Sequence, residues 1–175
     1  MLAAGARPTL TLVGHSAGSV YVNHLLHEVA QGRRQGYRAW PDDVRFRVAF
    51  LAPACTYAHF SATLEQADDL IEDLRVFTMT DEAEQADRLA GAVYPRSLLY
   101  LVSGVLERDD TGESNVQPVL GLARHRRPDL TDEQIVLPPT HEGAPVGRRA
   151  GARSHSAFDE DPLVLESLNS MIVRT

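Results

Sequence analysis

Short apolar blocks alternate along this chain with stretches of helical spacing. Thr9 to Val13 (TLTLV) is a β-branched and leucine run between Pro8 and Gly14, the pattern of a buried strand. From Ala17 the spacing turns helical, with Val20, Asn23, His24 and His27 set among Leu25, Leu26 and Val29. Gln31-Gly32 is the expected end of that helix, because glycine is the usual terminator. Arg33 to Asp43 reads as a polar loop. Val44 to Ala52 (VRFRVAFLA) alternates and then becomes continuously apolar, a second strand stopped by Pro53. Ser61 to Leu70 reads as a helix and Leu74 to Thr80 (LRVFTMT) as a third strand. Ser97 to Glu107 (SLLYLVSGVLE) has helical length and an apolar face, with Gly104 as its weak point.

The pattern then thins. Arg108 to Arg153 is rich in Pro, Gly, Asp and Arg, and only Glu133 to Pro139 (EQIVLPP) within it reads as a short strand. A long irregular segment of this kind inside a domain is usually functional or disordered, so 108–153 is expected to be a lid or an irregular insertion. The last segment opens with acids and Pro162 and carries an apolar stripe through Leu163, Leu165, Leu168 and Ile172, a helix start followed by a helix. Strand and helix alternate three times over, which predicts an α/β domain spanning 1–175, a parallel sheet with helices on both faces. No internal repeat is visible.

Composition narrows the class without changing it. The 175 residues are 43% hydrophobic and 23% charged, as in an ordinary globular domain. A formal net charge of −7 argues against a nucleic-acid partner, since phosphate binding is driven by Lys and Arg. All 17 basic residues are arginine, and the one cluster, Arg124, His125, Arg126 and Arg127, reads as a solvated turn. Cys55 is the only cysteine, so an intrachain disulfide and a Cys-x-x-Cys metal site are both excluded. Gly5, Arg7 and Pro8 interrupt any signal-peptide core, and no apolar run approaches the ~18 residues of a membrane span. A cytoplasmic location is the default expectation.

The chemistry sits where the first strand meets the first helix. Gly14-His15-Ser16-Ala17-Gly18 is a Gly-x-Ser-x-Gly pattern at a tight strand-to-helix turn. Such a turn strains the residue at its apex and holds a serine hydroxyl out at the end of the sheet, with the N–H groups of the helix start pointing into the same space. Glycines on either side are expected to remove side chains that would collide there. On these residues, and on a histidine segment near the C-terminus, the chain resembles the C-terminal half of an α/β-hydrolase of the serine esterase and lipase type, over about Thr9 to Val173. The resemblance implies a Ser, Asp/Glu, His chain order, with strands N-terminal to the elbow missing.

A serine hydroxyl needs a base, and the base needs a group to orient it. His15 lies inside the elbow, His24 and His27 on the following helix, His59 after the second strand and His125 in the basic turn. The resemblance favours a histidine just before the last helix, where His155 stands in RSHSAFDEDP; His141 in LPPTHEG is the runner-up. The acid is expected on the loop after the third strand. FTMTDEAEQAD offers Asp81, Glu82, Glu84 and Asp87, with Asp81, the first carboxylate after the strand, the expected acid; Asp109 and Asp110 are outsiders. The same acids also suit a plain helix start, where they complement the helix dipole.

The implied reaction is two-step acyl transfer on a small ester-like substrate by Ser16, Asp81 and His155, with the Ala17 N–H as one oxyanion contact. The glycines form neither G-x-G-x-x-G nor a Lys-containing phosphate loop, so no nucleotide cofactor is expected, and the resemblance calls for no metal. Tyr94 and Tyr100 read equally as packing or as pocket wall. With the first strand near residue 9, the sequence reads as a truncated domain whose elbow strand lies at an open edge, prone to self-association. The competing reading is a non-catalytic hydrolase-like fragment that needs a partner segment to complete its sheet.

Overall fold

The computed structural model describes residues 9–37, 40–87, 96–107, 116–128 and 130–173. Strand Thr9–His15 (β1) leads into helix Gly18–Arg34 (α1), strand Arg45–Leu51 (β2) into helix Tyr57–Ala67 (α2), and strand Ile71–Phe77 (β3) into the short helix Asp81–Ala86 (α3). Helix Leu98–Leu101 (α4) continues as a wider π-type turn over Val102–Leu106, around Gly104. A two-residue strand Ile135–Val136 (β4) and helix Pro162–Ile172 (α5) complete the set. The sheet is parallel throughout in the order β1-β2-β3-β4. The chain is therefore an α/β protein, and no helix of the described residues is long and apolar enough to cross a membrane.

β2 organises the core because both of its faces are buried. Side chains alternate across a strand, so Phe46, Val48 and Phe50 face α1 and α2, where they meet Val22, Leu26, Tyr57 and Phe60. Ala49 and Leu51 face the other way and pack with Phe77, Phe158 and the α5 residues Val164, Leu168 and Met171. Helices thus cover both faces. Arg47, on the α5 side, is buried as well, and its guanidinium donates to the Met171 carbonyl at 2.7 Å and to Glu72 at 3.2 Å. A cation on the last carbonyls of α5 suits the negative end of the helix dipole.

Several boundaries differ from the sequence expectations. α1 runs past Gly32 to Arg34, and Gly36 just beyond it, at φ +76°, closes a Schellman turn: Gly36 N–H donates to Arg33 O and Tyr37 N–H to Gly32 O. α2 starts at Tyr57, four residues early, because the Thr56 hydroxyl caps it by accepting from His59 N–H. β3 begins at Ile71 and ends at Phe77, which leaves Thr80 free to cap α3 through Ala83 N–H. α5 buries Val164, Leu168 and Met171, not the expected stripe, of which only Leu168 is buried; Leu163, Leu165 and Ile172 are exposed. The i, i+4, i+7 set is the one that lies along one face.

The stretch after α4 is irregular in secondary structure but well packed where described. Val119, Leu120 and Leu122 are buried, Gly121 N–H donates to Pro53 O, and the Thr78 hydroxyl donates to Gly121 O. In the core between β2 and the α1–α2 layer Phe50 is 1% exposed, so Phe50→Ala is expected to cost about 3–5 kcal/mol in chemical denaturation. Tyr21→Ala, on the outer face of α1 with 77% exposure, should stay within about 0.5 kcal/mol of the parent.

Candidate active site

The elbow is made by a close approach of β1 to α1. A Cβ on Gly14 would lie 2.9 Å from the backbone carbonyl of Gly18 and from Ser19 N, so no side chain fits between the strand end and the helix start. Gly18 carries no such constraint, since a Cβ there meets nothing within 4 Å; only the first glycine of the pattern is sterically required. The turn sets Ser16 at φ 51°, a left-handed conformation that costs a non-glycine residue about 1–3 kcal/mol.

A hydrogen-bond clamp maintains that conformation. Ser16 N–H donates to Leu51 O at 2.9 Å, and Ser16 O accepts from the Ser19 hydroxyl at 2.7 Å and from Ala54 N–H at 3.1 Å. Ser19 Oγ in turn accepts from Cys55 N–H at 3.1 Å. The loop after β2 therefore grips the elbow, and Ala52 within it is also at positive φ, 42°. The Cys55 thiol is buried, which pushes its pKa up to about 11 and leaves it a packing residue. Ala17 and Gly18 stand at the start of α1, where N–H groups have no intrahelical acceptor and the helix dipole is positive; Ala17 is exposed.

His155 opens a short 3-10 turn, His155–Ala157, and is 8% exposed. Its main chain is held from two sides. His155 N–H donates to Asp87 Oδ2 at 2.8 Å, and its carbonyl lies 3.0 Å from His15 Nε2. The His15 and His155 rings sit 5.3 Å apart, tilted by 31°. Neither ring nitrogen of His155 has a hydrogen-bond partner among the described residues. Burial lowers its pKa to about 4; His15 pushes the same way, while Asp87 and Asp159 oppose. The imidazole is thus neutral at pH 7, the form a general base requires.

The candidate carboxylates separate clearly. Asp81 accepts from the Tyr100 hydroxyl at 2.7 Å and from Gln85 at 2.7 Å, and pairs with Arg124 Nε at 3.0 Å. It makes no hydrogen bond to His155. Asp81, the expected acid, thus does not meet His155 here; the candidate carboxylate that meets the His155 segment is Asp87, which holds its main chain and not its ring. The reason is that β3 stops three residues early, so Asp81 opens α3 under the Thr80 cap and Asp87 follows the helix end. Glu82 is exposed. Glu84 is fully buried, with neither oxygen hydrogen-bonded among the described residues.

The remaining histidines have other surroundings. His141 lies exposed in a turn, the His24 and His59 rings meet at 4.6 Å, tilted by 53°, between α1 and α2, and His125 Nδ1 accepts from Val119 N–H at 3.1 Å. Tyr94, Asp109 and Asp110 lie outside the described residues. Among the described residues no three His, Cys, Asp or Glu side chains stand together as a metal site. Sequence reasoning missed His15 as a link between the elbow and His155. Its signal was only its place beside Ser16, since the contact spans 140 residues. No protein-family model, curated protein or solved structure matches the chain, so the meaning of the site rests on its own geometry.

This geometry has two measurable outcomes. Ser16→Gly should be about 1 kcal/mol more stable than Ser16→Ala in denaturant unfolding, because glycine accepts φ 51° without strain; equal stabilities would show that the turn is relaxed. For Glu84, burial raises the pKa from 4.5 to about 7 against the opposing pull of the buried Ser97 hydroxyl, with Asp87 and Asp81 adding to the rise. The folded state then keeps a proton that the unfolded chain loses, so stability falls as pH rises from 4.5 to about 7 and the loss is complete above that. Glu84→Gln should therefore match the parent near the bottom of that window. It should gain about 3 kcal/mol on the parent above the window, read from unfolding curves across pH.

Proposed function

We propose that this chain carries the nucleophile, base and acid of a serine hydrolase that cleaves an ester or related acyl bond of a small molecule. The observation that carries the reading is Ser16 at φ 51° on a strand-to-helix turn whose glycine leaves room for no side chain. An α/β-hydrolase type of fold is consistent with the parallel sheet and its two helical layers. Ser16 Oγ attacks the acyl carbonyl, a neutral His155 takes its proton, and the Ala17 N–H at the helix start donates to the developing oxyanion. His155 then returns the proton to the leaving group, and a water repeats the sequence on the acyl-enzyme. Asp87 anchors the histidine segment and supports its charge, and His15 packs against the ring.

A second reading has an observation of its own. The His155 ring nitrogens meet neither Ser16 Oγ nor a carboxylate, and Leu10 and Val13 on the β1 edge are 39% and 44% exposed. Both features suit a hydrolase-like unit that needs another segment to complete its sheet and close its site.

Labelling with a fluorophosphonate probe separates the two readings. Folded protein should take label, and both Ser16→Ala and heat-denatured protein should not; folded protein that stays unlabelled favours the second reading. On an activated ester, Asp87→Ala should lower kcat/KM about 10–100-fold, because the charge-assisted hydrogen bond that holds the His155 main chain is lost, whereas Asp81→Ala should change it little. The acid limb of kcat/KM should fall below the ordinary histidine value of 6.5, toward 4, because His155 is protonated only there.

A further inference from the structure

On the side of the sheet away from β1, an apolar cavity of about 170 Å³ opens between α2, β3, β4 and the segment after α4. Its walls include Tyr57, Leu120, Leu122, Leu130 and Ile135, and Arg126 is the one charged lining residue among the described residues. An apolar cavity of about 150 Å³ in another protein stays dry and binds benzene, so this volume suits a six-membered ring or a chain of about six carbons. The cavity shares no lining residue with Ser16, His155 or Asp87, and its ligand chemistry is independent of the hydrolase reading.

The charge at the rim decides what kind of molecule fits. Arg126 pairs with Asp132, but that carboxylate is 90% exposed. An exposed pair of this kind is worth about 0–1 kcal/mol, so the guanidinium can exchange Asp132 for an incoming anion at little cost. Arg127 lies 5.3 Å from the centre of the Tyr57 ring, bringing a second positive charge to one of the cavity walls. The arginine cluster that reads in sequence as a solvated turn is thus divided by the fold. Arg124 pairs with Asp81, while Arg126 and Arg127 stand by the cavity. Guanidinium groups recognise carboxylates through paired N–H donors.

We infer that this cavity is a binding site for a small apolar monocarboxylate, with the ring or chain among Leu120, Leu122 and Leu130 and the carboxylate on Arg126. Neutral molecules of the same shape gain only the apolar contacts, and short carboxylates such as acetate gain only the charge.

The test uses benzoate and hexanoate as probes, with benzyl alcohol and acetate beside them, in calorimetric titration and ligand-observed NMR. Benzoate and hexanoate should bind saturably and raise the melting temperature, and acetate should bind at least about tenfold more weakly. Arg126→Gln should weaken benzoate about tenfold or more and leave benzyl alcohol within about twofold. Arg126→Lys keeps the charge but not the paired donors, and should fall between the parent and Arg126→Gln. Ala123→Phe, which puts a ring into the cavity from its rim, should weaken both benzoate and benzyl alcohol. Arg148→Gln, which removes a positive charge that pairs with Glu133 and does not line the cavity, should change benzoate binding by less than about twofold. The proposal is overturned by the absence of saturable benzoate binding below about 10 mM. It is equally overturned if acetate binds as well as benzoate, if Arg148→Gln weakens benzoate as much as Arg126→Gln does, or if folded Ala123→Phe binds benzoate like the parent. Should Arg126→Gln not fold, Arg126→Lys and Ala123→Phe still decide the matter.

Discussion

The contact on which the rest of the site depends is the approach of the β1 end to the first turn of α1. A Cβ at Gly14 would lie 2.9 Å from the Gly18 and Ser19 backbone, and the chain makes this tight turn through a left-handed residue, Ser16. Strain at one residue persists only where its surroundings over-determine it. Here the determinants are the Leu51 carbonyl, the Ala54 N–H and the Ser19 hydroxyl, each drawn from a neighbouring element. The elbow is therefore a property of β1, α1 and the loop after β2 together. The serine hydroxyl is its consequence.

Around that turn the protein places groups that would be better solvated. His155 is buried with both ring nitrogens unpartnered among the described residues, and Glu84 is buried with both carboxyl oxygens in the same state. Burial favours the neutral form of each, so a base stays unprotonated and an acid stays protonated, in segments joined by Asp87. Asp81, by contrast, is satisfied by Arg124 and Tyr100.

The two faces of β2 explain how one sheet can carry both the elbow and a separate cavity. Phe46, Val48 and Phe50 lock α1 and α2 to one face, which fixes the elbow helix. Past β3 the covering layer passes from α2 to the irregular segment around Leu120 and Leu130, which fills the space less completely and leaves the cavity. Arg47 and Arg75, buried on the opposite face and donating to Met171 O and Gly147 O, tie α5 and the segment before it to the sheet. The site and the cavity are thus products of the same scaffold at different strands.

What the sequence determined by itself is what depends on residues within a few positions of one another. The β1 strand, the Gly14-Ser16 turn, the start of α1 and the Asp161-Pro162 entry to α5 are all local, because turn chemistry and capping act over three or four residues. The α/β alternation was legible for the same reason. The tertiary structure alone decided which carboxylate meets His155, since Asp87 and His155 are 68 residues apart and their contact depends on where β3 stops. It also decided which face of α5 is buried, because several apolar stripes were available on that helix and only the sheet could select among them. Partner choice over such distances is set by packing and register, and no local pattern of side chains encodes it.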